Sequence, residues 1–214
     1  ALLFAADRTK HSHRRGLCKA FCKRLICRWH GQDPTRTRWR LRLHALHDAI
    51  DDVLRRQDAK YWGWPVWPEA LRDPRQEGVS AFAGLHADRV EYYAWLQWLA
   101  DEQLREVQAQ ARSLGMPVGL YGDYAVGVNP AGAETWSDQA LYRKGAGLGA
   151  PPDALALKGQ DWGIPPQDPN VLQAERYQPF RELLAASMSN FGALRLDHVM
   201  ALYRQWWVPA GLES

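Results

Sequence analysis

Pro117-Val-Gly-Leu-Tyr-Gly-Asp-Tyr-Ala-Val-Gly-Val128 is an apolar run interrupted by one carboxylate, Asp123. A run of that length, bounded by Gly and Pro, predicts a strand over residues 118–128 that is buried on both faces. Just upstream, residues 91–114 carry Tyr92, Trp95, Leu96, Leu99, Gln103, Val107, Ala111 and Leu114 mainly three or four positions apart, with charges between them. That spacing lines one face of an α-helix, and Gly115 and Pro117 end it. A helix feeding a buried strand is half of an α/β unit.

The pattern returns further along. Residues 179–191 place Phe180, Leu183, Leu184, Ser187, Met188 and Phe191 on one helical side, Gly192 stops the helix, and residues 193–200 read as a second strand. Of the forty-two residues between, 129–170, twelve are Gly or Pro and no period stands out, which predicts one long inserted loop. Helix, strand, loop, helix, strand in this order predicts an α/β fold with a parallel sheet, a barrel or a doubly wound architecture. Upstream, Leu41, Leu43, Leu46, Ile50 and Leu54 begin to line a helix that ends near Gln57. The run Gly145-Ala-Gly-Leu-Gly-Ala150 neither follows a strand directly nor carries the Lys-Ser/Thr of a phosphate loop, so a nucleotide site is excluded there.

Composition bounds the possibilities. The chain has 214 residues, 46% of them hydrophobic, with eleven Trp and a mean hydropathy of -0.46, which excludes disordered and collagen-like classes and a helical membrane span. The net charge of +3 conceals an asymmetry. Residues 1–60 carry 15 Lys+Arg against 6 Asp+Glu, and residues 61–214 carry 12 against 18. An acidic main body is not expected to bind nucleic acid, which needs clustered cations; only the basic stretch 10–42 offers that role. The three cysteines, Cys18, Cys22 and Cys27, form no bridge framework, and no export signal is readable, so a reducing, cytoplasmic setting is expected. Cys18, Cys22, Cys27 and His30 include zinc-favouring ligand types, but their gaps do not reproduce a CxxC knuckle, and Cys18 and Cys22 equally fit neighbours on one face of a basic helix.

In Leu194-Arg195-Leu196-Asp197-His198 the period of a strand puts Arg195 and Asp197 on one face and Leu194, Leu196 and His198 on the other. On a half-exposed strand this is a solvated ion pair. In a closed parallel barrel, an Asp near the strand's C-terminal end lies where barrel active sites are built, and Arg195 opposes its protonation. A carboxylate held charged in this way suits attack on an anomeric carbon. Asp123 offers the same argument on the preceding strand, with hydrogen bonding to backbone as the plainer alternative. Trp62, Trp64, Trp67, Trp95 and Trp98 fall near helices and are expected in the core. Trp162 lies in the loop instead, where a flat ring suits the C–H face of a sugar.

Four motifs then carry a resemblance: Gly119-Leu-Tyr-Gly-Asp-Tyr-Ala-Val-Gly-Val128, Gly149-Ala-Pro-Pro-Asp153, Gly159-Gln-Asp-Trp-Gly-Ile-Pro-Pro166 and Gly192-Ala-Leu-Arg-Leu-Asp-His-Val-Met200, followed by Trp206-Trp-Val-Pro209. Residues from about 61 to 212 resemble the 4-α-glucanotransferases (amylomaltases, disproportionating enzymes) of glycoside hydrolase family 77. The resemblance implies part of a (β/α)8 TIM barrel of the α-amylase type with a long inserted loop. It also implies transfer of α-1,4-glucan segments between maltodextrins by a retaining double displacement, without cofactor or metal. Matched position by position, Asp197 is the nucleophile, Arg195 and His198 flank and position it against the sugar, Asp123 ends the preceding motif strand, and Trp162 lies beside substrate. Tyr124 stands where many members have Leu or Met. The family's general acid and third carboxylate come from later strands, so residues 46–214 are expected to be the N-terminal part of the barrel, truncated before the acid, and inactive alone. Residues 1–45 are expected to form a separate basic segment outside the resemblance. The alternatives are a maltodextrin-binding remnant without catalysis, or a nucleic-acid-binding module acting through residues 10–42.

Overall fold

A computed structural model describes residues 34–212, with side chains from residue 41 onward. Cys18, Cys22, Cys27, His30 and most of the basic stretch 10–42 lie outside the described residues. Helix α1, Pro34–Gln57, buries Leu43, Ala45, Leu46, Ala49, Ile50 and Leu54 along a wide stripe. Asp51 pairs with Arg55 at 2.5 Å and Asp52 with Arg56 at 2.7 Å, both one turn apart along the helix. The two arginines also lie in the last turn, where a cation faces the negative end of the helix dipole. This helix begins inside the stretch expected to be a separate basic segment. Arg36, Arg38, Arg40 and Arg42 give its first turns the composition of a solvated arm.

Two 3-10 turns, Trp64–Val66 and Glu69–Leu71, then carry Trp64 and Trp67 against α1. Helices α2, Glu77–Leu85, and α3, Ala87–Ser113, follow, and α3 packs along α1, with Arg89 bonded to Asp52. At the end of α3, Gly115 has φ 84°, its N–H donates to the Arg112 carbonyl, and that of Met116 donates to the Ala111 carbonyl. This is the paired closure that glycine permits, and it stops the helix where the sequence predicts. The apolar stripe expected on α3 is covered only in part: Ala111 is buried, whereas Tyr92, Trp95, Val107 and Leu114 are exposed. Of the tryptophans expected in the core, Trp64 and Trp67 are buried, Trp98 is half-buried, and Trp62 and Trp95 are exposed.

The core centres on Trp67 and Trp136, the latter from α4, Ala133–Ser137. Their rings meet edge to face, centroids 6.1 Å apart, and His47 of α1 lies 5.0 Å from one and 5.8 Å from the other. Two indole N–H groups at this junction tie separate elements together. Trp136 Nε1 donates to the Leu71 carbonyl at 2.9 Å, and Trp64 Nε1 donates to Thr135 Oγ1 at 3.0 Å.

Two sheets occur among the described residues. Strands β1, Tyr121–Tyr124, and β4, Ala193–Leu196, pair in parallel. Strands β2, Ala146–Ala150, β3, Gln160–Ile164, and β5, Trp206–Pro209, form an antiparallel sheet in the order β3-β2-β5. The region expected to be one long loop therefore holds a short helix and two strands. Its glycines hid them, because β2 has no β-branched residue. A Cβ on Gly149 would lie 1.9 Å from the Gln160 carbonyl oxygen, so the close approach of β2 to β3 requires glycine there. The run read as a buried strand over 118–128 is also shorter: four residues pair, and Tyr121 and Asp123 are exposed. Helices α5, Pro169–Ala174, and α6, Gln178–Met188, link the sheets. Asp168 caps α5 by accepting the Asn170 N–H at 2.7 Å, with Pro169 in the first turn, where its missing N–H costs nothing. The fold is mixed α/β, and no closed barrel forms among the described residues.

Candidate active site

The site is built where β1 and β4 end. Their parallel register sets Asp123 beside Arg195, one strand spacing apart. Arg195 Nη1 lies 3.2 Å from Asp123 Oδ2, and Nη2 lies 2.9 Å from Asp197 Oδ2. One guanidinium thus bridges two carboxylates through two different nitrogens, which its rigid fork allows and a lysine would not. Asp197 also accepts the His198 N–H on Oδ1 at 3.1 Å, so each of its oxygens has a donor.

The sequence expectation that His198 continues the strand on its opposite face does not hold. Pairing ends at Leu196, and His198 has φ 45° and ψ 47°, left-handed values that turn the chain into the 3-10 turn Val199–Leu202. Histidine is among the residues enriched in that conformation. The turn brings its ring to Trp162 on β3, with centroids 4.6 Å apart and planes inclined by 48°. The indole is held in turn: Trp162 Nε1 donates to Gln160 Oε1 at 2.9 Å. Gln160 was not singled out from the sequence, although it stands inside the quoted Gly159–Pro166 motif, two residues from Trp162 on the same strand face.

All five residues expected from the sequence fall into two contacting groups, Asp123–Arg195–Asp197 and Trp162–His198, joined through the Asp197–His198 peptide. The burial expected of a closed barrel is not present. Side-chain exposure is 63% for Asp123, 50% for Arg195 and 47% for Asp197. Ion pairs this exposed contribute only about 0–1 kcal/mol to stability, so the arrangement orients the carboxylates more than it holds the fold. Beside them Tyr124 packs 5.9 Å from the Phe180 ring, and burial pushes its phenol above the usual range. Among the described residues no cluster of three or more His, Cys, Asp or Glu side chains has the geometry of a metal site. No described helix is long and apolar enough to cross a membrane.

Comparison with known proteins bears directly on this arrangement. Residues 34–214 match the family profile described as 4-alpha-glucanotransferase. A 4-alpha-glucanotransferase of Mycobacterium tuberculosis is 46% identical over 148 residues, 69% of this chain and 20% of that protein. One from Haemophilus influenzae is 40% identical over 171 residues, 80% of this chain and 23% of that protein. The chain thus spans about a fifth of the length of these curated relatives. The crystal structure of amylomaltase from Corynebacterium glutamicum superposes with a TM-score of 0.68 at 30% identity, over 96% of this chain and 25% of that one. Amylomaltase from Streptococcus agalactiae, solved in complex with acarbose, gives 0.71 at 17% identity over 100% of this chain and 46% of that one. The match begins at residue 34, so it takes in the whole of α1 and part of the segment expected to stand apart. The chain belongs to the 4-alpha-glucanotransferases of glycoside hydrolase family 77.

Proposed function

We propose that this chain supplies the nucleophile side of a retaining 4-α-glucanotransferase site, within what is part of a (β/α)8 barrel acting on maltodextrins. The observation that carries the reading is Arg195 bridging Asp123 and Asp197 at the ends of two adjacent parallel strands, beside the Trp162–His198 pair. Asp197 attacks the anomeric carbon as the glycosidic C–O bond breaks, and a glycosyl ester forms. The leaving oxygen takes its proton from an acid that, by resemblance, stands on a later strand. In the second step the 4-hydroxyl of an acceptor glucan attacks the anomeric carbon, gives its proton back to the acid of the first step, now a base, and displaces the Asp197 carboxylate, which restores the original anomeric configuration. Arg195 fixes Oδ2 of Asp197, while the His198 N–H fixes Oδ1, so the attacking group is aimed before substrate arrives. Trp162 offers an aromatic face to the sugar, oriented by Gln160. Acarbose bound to the Streptococcus agalactiae amylomaltase supports an α-1,4-glucan as the substrate class.

The test is a graft in which residues 34–212 replace the matching segment of the Haemophilus influenzae relative. Asp197→Asn is expected to leave folding and maltodextrin binding near wild type and to lower transfer by roughly 10⁴-fold or more, because an amide cannot form the ester. A fluorinated glycosyl donor is expected to label Asp197. Labelling of another carboxylate, or transfer by the Asn variant near the wild-type rate, overturns the assignment. A graft that binds maltodextrin and transfers nothing favours the non-catalytic remnant. The 214-residue chain by itself is expected to show no appreciable disproportionation of maltotriose, since a positioned acid contributes about 10²- to 10⁴-fold.

A further inference from the structure

Helix α3 turns an apolar stripe away from the chain's own parallel sheet. At 3.6 residues per turn, Tyr92, Trp95, Leu99, Val107 and Leu114 fall within about a third of its circumference, along about 33 Å of its length. Tyr92, Trp95, Val107 and Leu114 each leave between 41 and 72% of their surface in solvent. The bonds from α3 to the segments that enter β1 and β4 lie on its opposite side: Gln108 accepts the Leu120 N–H at 2.5 Å, and Asp101 accepts from the Asn190 amide at 2.6 Å. An amphipathic helix buries its apolar side. An exposed apolar patch that runs the length of a helix therefore marks an interface.

The parallel sheet is open as well. Among the described residues β1 and β4 are its only strands, so each has an unpaired edge, and Tyr121 and Leu196 are exposed. Parallel sheets are covered on both faces, and two strands alone do not make a stable unit. Whatever completes this region brings both a parallel strand and an apolar surface. A second copy in a closed two-fold dimer does not, because the axis pairs an edge strand with its own copy in the antiparallel sense, and head-to-tail pairing of β1 with β4 builds an open filament. A longer polypeptide does. This chain spans 20% of the Mycobacterium tuberculosis relative and 23% of the Haemophilus influenzae one, and the Corynebacterium glutamicum amylomaltase superposes on 96% of it. We propose that the stripe on α3 and the open edges of β1 and β4 are the docking surface for the part of the family's polypeptide that this chain does not span. The proposal rests on the barrel part of the reading above and not on its chemistry. Docking without transfer counts against the chemistry alone, and transfer with an exposed stripe counts against the docking alone.

Hydroxyl-radical labelling read by mass spectrometry tests it on two proteins, the purified 214-residue chain and the graft of residues 34–212 into the Haemophilus influenzae relative. Labelling of Tyr92 and Trp95 is expected to be at least about 10-fold lower in the graft than in the chain, since the centre of an interface is desolvated. Val107→Lys is expected to lower the denaturation midpoint of the graft and to leave that of the chain unchanged, because the position is exposed in one and covered in the other. Gln97→Lys, an exposed position outside the stripe, is expected to leave both unchanged. Equal labelling of Tyr92 and Trp95 in the two proteins, or the same effect of Val107→Lys in both, overturns the proposal. So does an isolated chain that is already an oligomer with Tyr92 and Trp95 protected, which assigns the surface to a second copy. A graft that fails to fold overturns it too, since the stripe then finds no seat on the remainder.

Discussion

Trp67 and Trp136 have no exposed surface, whereas Asp123, Arg195 and Asp197 leave about half of their side chains in solvent. The first region is held by area removed from water and by indole N–H groups such as that of Trp136, which finds a carbonyl. The second is held by backbone pairing of two short strands, with charges arranged along its rim. One region therefore carries stability and the other carries chemistry, and single substitutions should separate them cleanly.

The largest expected effect on folding is in the core. Trp136→Ala removes a fully buried ring and leaves the Leu71 carbonyl without its donor, and it is expected to cost about 3–5 kcal/mol in chemical denaturation. A cost below about 1 kcal/mol would mean that the tryptophan cluster is not the stabilising centre. At the strand ends, Arg195→Ala is expected to change stability by less than about 1 kcal/mol, despite breaking both ion pairs. In the graft the same change is expected to lower transfer at least 10-fold, since Asp197 loses the group that fixes Oδ2. A large loss of stability with turnover intact would reverse the assignment of roles. The smallest effect is the pH dependence of Tyr124, which follows Asp123 on β1 and packs on Phe180. Burial raises its folded-state pKa above the roughly 10 of the unfolded chain, so its contribution is full below that pH and is lost as pH rises through the folded value. Tyr124→Phe is expected to flatten the alkaline limb of stability, measured by difference from the parent; identical limbs would show that the phenol is not sensed.

The same contrast explains what the sequence made legible. Helical stripes such as Leu43–Leu46–Ile50–Leu54 declare themselves, because burial on one side imposes a period. So do Arg195, Asp197 and Asp123, because charges inside apolar strands stand out. The antiparallel sheet was hidden, since Gly149 is selected by the close approach of the Gln160 backbone and Gly147 by the Asp161 carboxylate beside it, neither of which has a hydrophobic signature. The reversal at His198 was hidden too, because a left-handed residue interrupts an alternation that the letters alone continue. Exposure of α3 was unreadable for a different reason: a stripe states that a face is apolar, and says nothing of what covers it.

The parallel pairing of β1 with β4 also sets an order in time. Asp123 and Arg195 are 72 positions apart, and closing a loop of that length costs roughly 4 kcal/mol of chain entropy before any contact is gained. Trp67, by contrast, meets His47 of α1 across a span of twenty residues. During synthesis from the N-terminus the described α-helices and the buried Trp64, Trp67 and Trp136 emerge before residue 193 is made. A nascent chain therefore completes its aromatic core while Asp123 is still without its partners; the cation arrives 72 positions later, and the second carboxylate two positions after that.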